Sequence, residues 1–352
     1  MVGISLLTLV PGIVGGSETY VRSLAQALGR VGELDYRVYA PAIAPTAGEP
    51  LPSRIVRGYR AGRTMPSRIA AMAHGAVSPR VRRELELDEL EAIHFPLTVM
   101  IPRVAGPPAV TTILDLQHEF LPGFFSRAEL AYRRVVYRSS ASASRRVITI
   151  SEHARETLVE RLGLDPERVH AIHLGVDHAR FAPGEEERGD FLLYPANRWP
   201  HKNHERLFAA VERTGRRLVL TGSGHEGKPA PRFVDVRGRV APEELVRLLR
   251  TAAALVFPSL YEGFGQPPLE AMACATPVVV SDLPPLREVC GDAAVYVDPL
   301  DADSIAAGIE EALRRGGSDG PARAARFTWD ACARAHDAVY RELCAEAPRS
   351  AQ

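Results

Sequence analysis

Short apolar runs alternate along this chain with stretches whose apolar residues recur at helical spacing, and that alternation predicts an α/β protein built on parallel sheets. In the first half the expected strands are residues 2–9, 36–40, 92–95, 109–114, 147–150 and 169–172, and the expected helices are 17–30, 79–90, 127–140 and 152–162. Residues 182–190, Ala-Pro-Gly-Glu-Glu-Glu-Arg-Gly-Asp, break every periodicity and read as a linker. Beyond them a second series predicts strands 191–196, 217–221, 233–236, 254–257, 277–280 and 294–297, with helices 204–213, 243–251, 268–275 and 304–314. A last helical stretch, 329–345, follows the final strand, and residues 348–352 read as a disordered tail. The expected domains are therefore 1–182 and 183–330, with 331–352 a terminal helix and tail.

At 352 residues and 46% hydrophobic content, the chain is long enough for two ordinary cores. Its net charge of zero gives no global argument for a nucleic-acid partner. Cys274, Cys290, Cys332 and Cys344 form no Cys-x-x-Cys and are too sparse for a disulfide framework, which fits free thiols in a reducing, cytoplasmic compartment. Residues 1–10 are apolar but lack a basic leader region and are too short to span a bilayer, so they read as the first strand. Arg133, Arg134, Arg138, Arg145 and Arg146 leave a weak peripheral contact with an anionic membrane open. The mixed stripe Leu130, Arg134, Tyr137, Ala141 favours a solvated face instead. Lysine occurs only at Lys202 and Lys228. A lysine kept in a chain that otherwise uses arginine points to a place needing a compact ammonium, although Lys228 sits in a Gly/Pro loop and reads as incidental.

The most informative segment is Glu262-Gly-Phe-Gly-Gln-Pro-Pro-Leu-Glu270, which follows the strand expected at 254–257. Strand, glycine loop and helix start in that order place the loop at the carboxyl edge of a parallel sheet, where ligands bind. Gly263 and Gly265 let backbone amides approach a ligand, and the helix start favours an anion, phosphate above all. After the first strand of the second series comes Asn197-Arg-Trp-Pro-His-Lys-Asn203. It puts Arg198 and Lys202 at the same sheet edge, either as a diphosphate clamp or as a solvated basic turn. His201 and His204 have no carboxylate or cysteine at ligand spacing, so no metal is expected there.

Pro11-Gly-Ile-Val-Gly-Gly-Ser-Glu18 is a glycine loop entering a helix, with Ser17 the expected N-cap. Its Gly15 and Gly16 belong either to a ligand-facing loop or to a plain turn. Two motifs mislead. Gly222-Ser-Gly-His-Glu-Gly227 matches a dinucleotide fingerprint, but prolines follow it and no ribose-binding acid stands downstream, so only a nucleotide-contacting turn at Gly222 is expected. Asp301-Ala-Asp303 imitates a metal-binding motif and reads better as a helix cap, as does Ser151 at the head of its helix.

Glu-x7-Glu with Gly-Phe-Gly after the first glutamate, preceded by Arg-x3-Lys-Asn and a Gly-Gly-x-Glu loop, closely resembles the retaining family 4 glycosyltransferases of GT-B fold. The resemblance runs through nearly the whole chain in motif order. It implies two Rossmann-like domains facing across a cleft, with the C-terminal helix crossing back to the first. It also implies transfer of a hexose-type sugar from a nucleoside-diphosphate donor, GDP-mannose being the mild expectation, to a hydroxyl acceptor. Neither a metal nor another cofactor is implied. By the family pattern Glu270 holds the ribose hydroxyls, Arg198 and Lys202 the diphosphate, and Glu262 lies beside the sugar ring. Gly263, Phe264 and Gly265 would present amides near phosphate and sugar, and Gly15 and Gly16 would form the donor-side loop of the first domain.

Relatives often carry His-Asp where this chain has Leu114-Asp115. His118 takes that histidine's place near the sugar, or the sugar lacks the hydroxyl that the histidine would bind, or His118 is a plain surface residue. A sugar-nucleotide 2-epimerase of the same fold and a catalytically silent binding partner are the competing readings. The glycine loop and the cation pair favour transfer over the first, and the two glutamates with the two cations argue against the second.

Overall fold

The computed structural model of the protein describes residues 1–13, 15–104 and 106–346, so the tail expected at 348–352 lies outside the described residues. The chain divides into two compact units. One comprises Met1–Leu116, Phe125–Gly175 and the C-terminal helix Trp329–Glu346, the other Gln117–Phe124 and Val176–Thr328.

The first unit carries a seven-stranded parallel sheet of β1 (Val2–Ser5), β2 (Tyr36–Pro41), β3 (Ser53–Val56), β4 (Ala92–Phe95), β5 (Ala109–Thr112), β6 (Arg146–Thr149) and β7 (Val169–Ala171), in the order β3-β2-β1-β4-β5-β6-β7. Helices cover both faces of such a sheet, so its central strands are apolar on both sides. Every residue of β1, β4 and β5 is buried. β1 ends earlier than expected. Leu6, Leu7, Leu9 and Val10 are apolar because the loop itself is buried, not because the strand continues.

Helix Gly16–Val31 begins at a cap formed by Gly15 (φ 57°, ψ −131°) rather than by Ser17, a correction to the expected capping. The backbone there takes a left-handed turn that glycine adopts freely, and Ser17 falls inside the first helical turn. Thr64 opens an unanticipated helix, Met65–Val77, through a reciprocal capping box with Ser67. The terminal helix packs along Gly16–Val31. Tyr20 Oη lies 2.8 Å from His336 Nε2, Arg30 pairs with Asp330 at 2.7 Å, and Tyr340 Oη lies 2.7 Å from His94 Nδ1 on β4.

The second unit carries a six-stranded parallel sheet of β8 (Phe191–Pro195), β9 (Arg217–Thr221), β10 (Val234–Gly238), β11 (Ala254–Phe257), β12 (Val278–Ser281) and β13 (Val295–Val297), in the order β10-β9-β8-β11-β12-β13. In both sheets the order reverses after the unit's first strand, between β1 and β4 and between β8 and β11. That reversal is the place where doubly wound sheets open a crevice for ligands.

The division between units falls at Gly175/Val176 rather than inside residues 182–190. Hydrogen bonds explain the shift. Arg188 donates to the carbonyls of Arg250 (3.1 Å), Ala252 (2.9 Å) and Ala275 (2.6 Å), and Arg250 donates to Ala182 O at 2.9 Å. The Pro/Gly and charge run is thus tied to the second unit.

Candidate active site

The site grows from the two strands at the reversal of the second sheet. After β8 the chain forms a single 3-10 turn, Pro200–Lys202, and leaves it through Asn203 in a left-handed conformation (φ 59°). The Asn203 amide donates to Pro258 O (3.0 Å) and Pro299 O (2.7 Å), which staples this loop to those following β11 and β13. Leu260 N donates to His201 O at 2.7 Å, and the Tyr194 hydroxyl donates to Lys202 O at 2.7 Å. The loops after β8 and β11 are therefore one rigid assembly.

Within it Lys202 Nζ donates to Glu262 Oε1 at 2.5 Å, each side chain only 13% exposed. The same ammonium stands 4.9 Å from the centre of the Phe257 ring, a second favourable contact for a cation. Arg198 is held by its backbone, which donates to Ser223 O at 2.9 Å, while its guanidinium has no hydrogen-bond or ion-pair partner among the described residues. One cation of the expected pair is thus compensated and the other is not.

Gly222 makes the close approach of β9 to the Arg198 loop possible. Its φ is 117°, and a Cβ at this position would stand 2.7 Å from Ala196 backbone atoms. Asn197 Oδ1 then accepts from Ser223 N (2.8 Å) and Ser223 Oγ (2.9 Å). Beside this turn Arg198, Trp199, His204, Arg206, Leu260 and Phe124 line a hollow of about 590 Å³.

Three buried histidines, His201, His204 and His225, lie near the cations, and burial keeps the first two from adding charge. Burial first, then Lys202 and His204, hold His201 down to about 3. Burial, then His225 and the cations Arg198 and Lys202, hold His204 down to about 4. Their rings pack instead: His204 lies 5.2 Å from Tyr194 and 5.1 Å from His225 between ring centres.

Glu270 sits on helix Gln266–Ala273, which starts at Gly265 (φ 117°). A side chain at Gly265 would collide with Leu286 Cδ2 at 2.6 Å. Burial pushes the Glu270 carboxyl up to about 7, against the opposing pull of a Gln266 hydrogen bond and of Arg180. Phe264 is 3% exposed with its ring 5.9 Å from that of Phe327, so its side chain anchors the loop in the core.

His118 is 1% exposed on the short helix Gln117–Phe120, which groups with the second unit, so the surface alternative for this residue does not hold. Arg198, Lys202, Gly222, Glu262, Gly263, Phe264, Gly265 and Glu270 all stand on that unit, whereas Gly15 and Gly16 stand on the first. Asn203, Tyr194 and Phe257 were missed as supports. Only Asn203 carried a signal, since asparagine after a turn readily takes a left-handed conformation.

Two family models together match residues 14–326 of the chain. Glycosyltransferase Family 4 covers residues 14–180 and Glycosyl transferases group 1 covers residues 176–326. This chain belongs to that glycosyltransferase family.

Among relatives, the glycosyltransferase is 29% identical to O-antigen chain mannosyltransferase B of Escherichia coli over 64% of its own length and 68% of the relative's. It is 32% identical to O-antigen chain mannosyltransferase RfbU of Salmonella typhimurium, where the match spans 56% of this chain and only 59% of that protein. A D-inositol 3-phosphate glycosyltransferase of Catenulispora acidiphila is 27% identical over 95% of this chain and 94% of its own. In fold it matches sucrose-phosphate synthase from Thermosynechococcus elongatus (TM-score 0.78, 20% identity, 98% of this chain and 99% of that one). It also matches Anabaena HepE in complex with UDP and glucose (TM-score 0.71, 15% identity, 97% and 99%). The two Rossmann-like units of the glycosyltransferase are those of the GT-B fold.

Proposed function

We propose that this glycosyltransferase moves a hexose from a nucleoside-diphosphate sugar to a hydroxyl acceptor with retention of anomeric configuration. The observation that carries the reading is the Lys202–Glu262 pair beside the uncompensated Arg198 at the reversal of the second sheet. A diphosphate entering there meets Arg198 and draws Lys202 from Glu262, which frees that carboxylate to accept hydrogen bonds from the sugar hydroxyls. Glu270 accepts from the ribose hydroxyls. As the sugar–oxygen bond breaks, negative charge grows on the departing diphosphate, and the two cations stabilise it. The diphosphate oxygen takes the acceptor's proton on the face it leaves, so the acceptor attaches on that same face.

The mannosyltransferase names of two relatives and the UDP–glucose complex of HepE make GDP-mannose and UDP-glucose the first donors to try. No metal enters this scheme. The Asp301 carboxylate caps its helix by accepting from Asp303 N at 2.9 Å, and Asp303 pairs with Arg213 at 3.0 Å, so both motif acids have structural partners.

Proton NMR of the first product tests the reading, since a retained anomeric configuration is expected and an inverted one refutes it. Release of free nucleoside diphosphate that requires an acceptor separates transfer from epimerisation, which interconverts sugar nucleotides without one.

A further inference from the structure

The hollow beside Arg198 is walled by aromatic rings. Trp199 is 48% and Phe124 43% exposed, and Leu260 completes the apolar part of the lining. Phe120, also exposed, lies with its ring centre 5.4 Å from that of Tyr261, the residue after Leu260. Among the described residues these are the only phenylalanines and tryptophan left exposed, and all stand on the second unit. That unit buries Tyr194, Phe257 and Phe264, so rings turned to water beside the site call for a reason.

The edge of the hollow is polar. Glu205 and Arg206 are exposed on its wall, and Arg206 is held there by donating to Asn203 Oδ1 at 3.1 Å. Arg198, whose guanidinium lacks a partner among the described residues, forms another part of the wall. The volume of about 590 Å³ falls within the roughly 300–1,000 Å³ of small-molecule sites.

We propose that this hollow is the acceptor subsite and that the acceptor is a saccharide, with one sugar ring lying on Trp199 and Phe124 and its hydroxyls meeting Glu205 and Arg206. The inference rests on the transfer reading given above. A pyranose carries C–H bonds on its face and hydroxyls around its edge. The C–H face suits the electron-rich face of an aromatic ring, and the hydroxyls suit a rim of donors and acceptors. The attacking hydroxyl must also reach the carbon that leaves the diphosphate. Arg198, the proposed diphosphate ligand, is a wall of the same hollow, so the two substrates would be neighbours. A hydrocarbon chain would use the rings and leave the charged rim without a role.

The chain has two tryptophans, and Trp329 is buried in the first unit, so intrinsic fluorescence reads Trp199. The test titrates the full chain with maltotriose, mannotriose and galactotriose, with and without saturating GDP or UDP. At least one trisaccharide should shift the emission to shorter wavelength and saturate. Trp199→Phe should lose that signal yet retain binding by calorimetry. Trp199→Ala and Phe124→Ala should each weaken trisaccharide binding at least about tenfold and leave nucleotide affinity within about twofold of wild type. Both positions are exposed, so melting temperatures should stay at the wild-type value.

No saturable binding of any of the three trisaccharides, or alanine variants that bind them like wild type, would overturn the proposal. So would a Trp199 signal given by GDP or UDP alone together with loss of nucleotide affinity in Trp199→Ala, since the ring would then hold the base. Acceptor-dependent release of nucleoside diphosphate is measured separately. If it occurs while trisaccharides fail to bind, only the subsite falls. If trisaccharides bind at Trp199 and no sugar nucleotide is ever turned over, the transfer reading falls and the hollow remains a saccharide site.

Discussion

Lys202 and Glu262 lie 60 residues apart in the chain, and their charged groups meet at 2.5 Å because β8 and β11 are neighbours in the second sheet. With both side chains only 13% exposed, removing either partner leaves the other charge largely desolvated and unpaired. Glu262→Ala and Lys202→Ala should each lower the free energy of unfolding by about 1.5–3 kcal/mol. The double variant should lose much less than the sum, because it strands no charge. Denaturant melts of the four proteins measure this, and strictly additive losses would show that the pair is not energetically coupled.

Replacing Lys202 by arginine tests the lysine itself. Arginine keeps the charge but moves it outward on a longer, planar group, so it fits neither the place of the ammonium between the Glu262 carboxylate and the Phe257 ring nor the same diphosphate oxygens. Turnover should fall at least about tenfold, equivalent to about 1.4 kcal/mol of barrier. Lys228→Arg, at an exposed loop position, should be almost silent. Full activity in both variants would mean that the scarcity of lysine carries no functional information.

How much of this was legible in the sequence follows from burial. The extents of β4, β9 and β11 match the expected 92–95, 217–221 and 254–257, because a strand covered on both faces is mostly apolar, without a break in Ala254–Phe257 and interrupted only by His94 in β4 and by the terminal Arg217 and Thr221 in β9. Edge strand β3 left no such run, since only Val56 of Ser53–Val56 is buried. Helix Met65–Val77 is hard to read from the sequence because Ile69, Ala70, Ala73 and Val77 are exposed and blur the helical period, and Pro284–Cys290 is too short to show one.

Arg198, Lys202, Glu262 and Glu270 stand out in the sequence as candidates through residue type, position after a strand and the motif resemblance, and their roles remain part of the proposal. The pairing of Lys202 with Glu262 is not legible there, because it depends on which strands are neighbours, and local pattern does not encode strand order.

Chelation is expected to leave transfer nearly unchanged. Arg198 and Lys202 already supply positive charge to the diphosphate in the proposed scheme, and the Asp301–Asp303 motif serves its helix and Arg213. Initial rates with and without excess EDTA measure this. A loss that manganese or magnesium restores would require a metal on the leaving group and would demote the two side-chain cations to a secondary role.

The Glu270 carboxyl, raised by burial from 4.5 to about 7, gives two pH dependences of opposite sign. In the free protein the folded state holds a proton between those values that the unfolded chain has lost. This group's contribution to stability is therefore complete below about 4.5 and declines as pH rises toward 7. Ribose hydroxyls instead need the ionised carboxylate as acceptor, so donor binding should release a proton and weaken as pH falls below about 7. Calorimetric titration with GDP or UDP in buffers of different ionisation enthalpy measures the proton count. The nucleotide's own phosphate also titrates in this range, so the decisive quantity is the difference from Glu270→Gln. That variant keeps the ligand's titration, loses the protein's, and should bind with a shallower pH slope. Identical slopes for wild type and Glu270→Gln would place the ribose elsewhere, whatever the carboxyl does in the free protein.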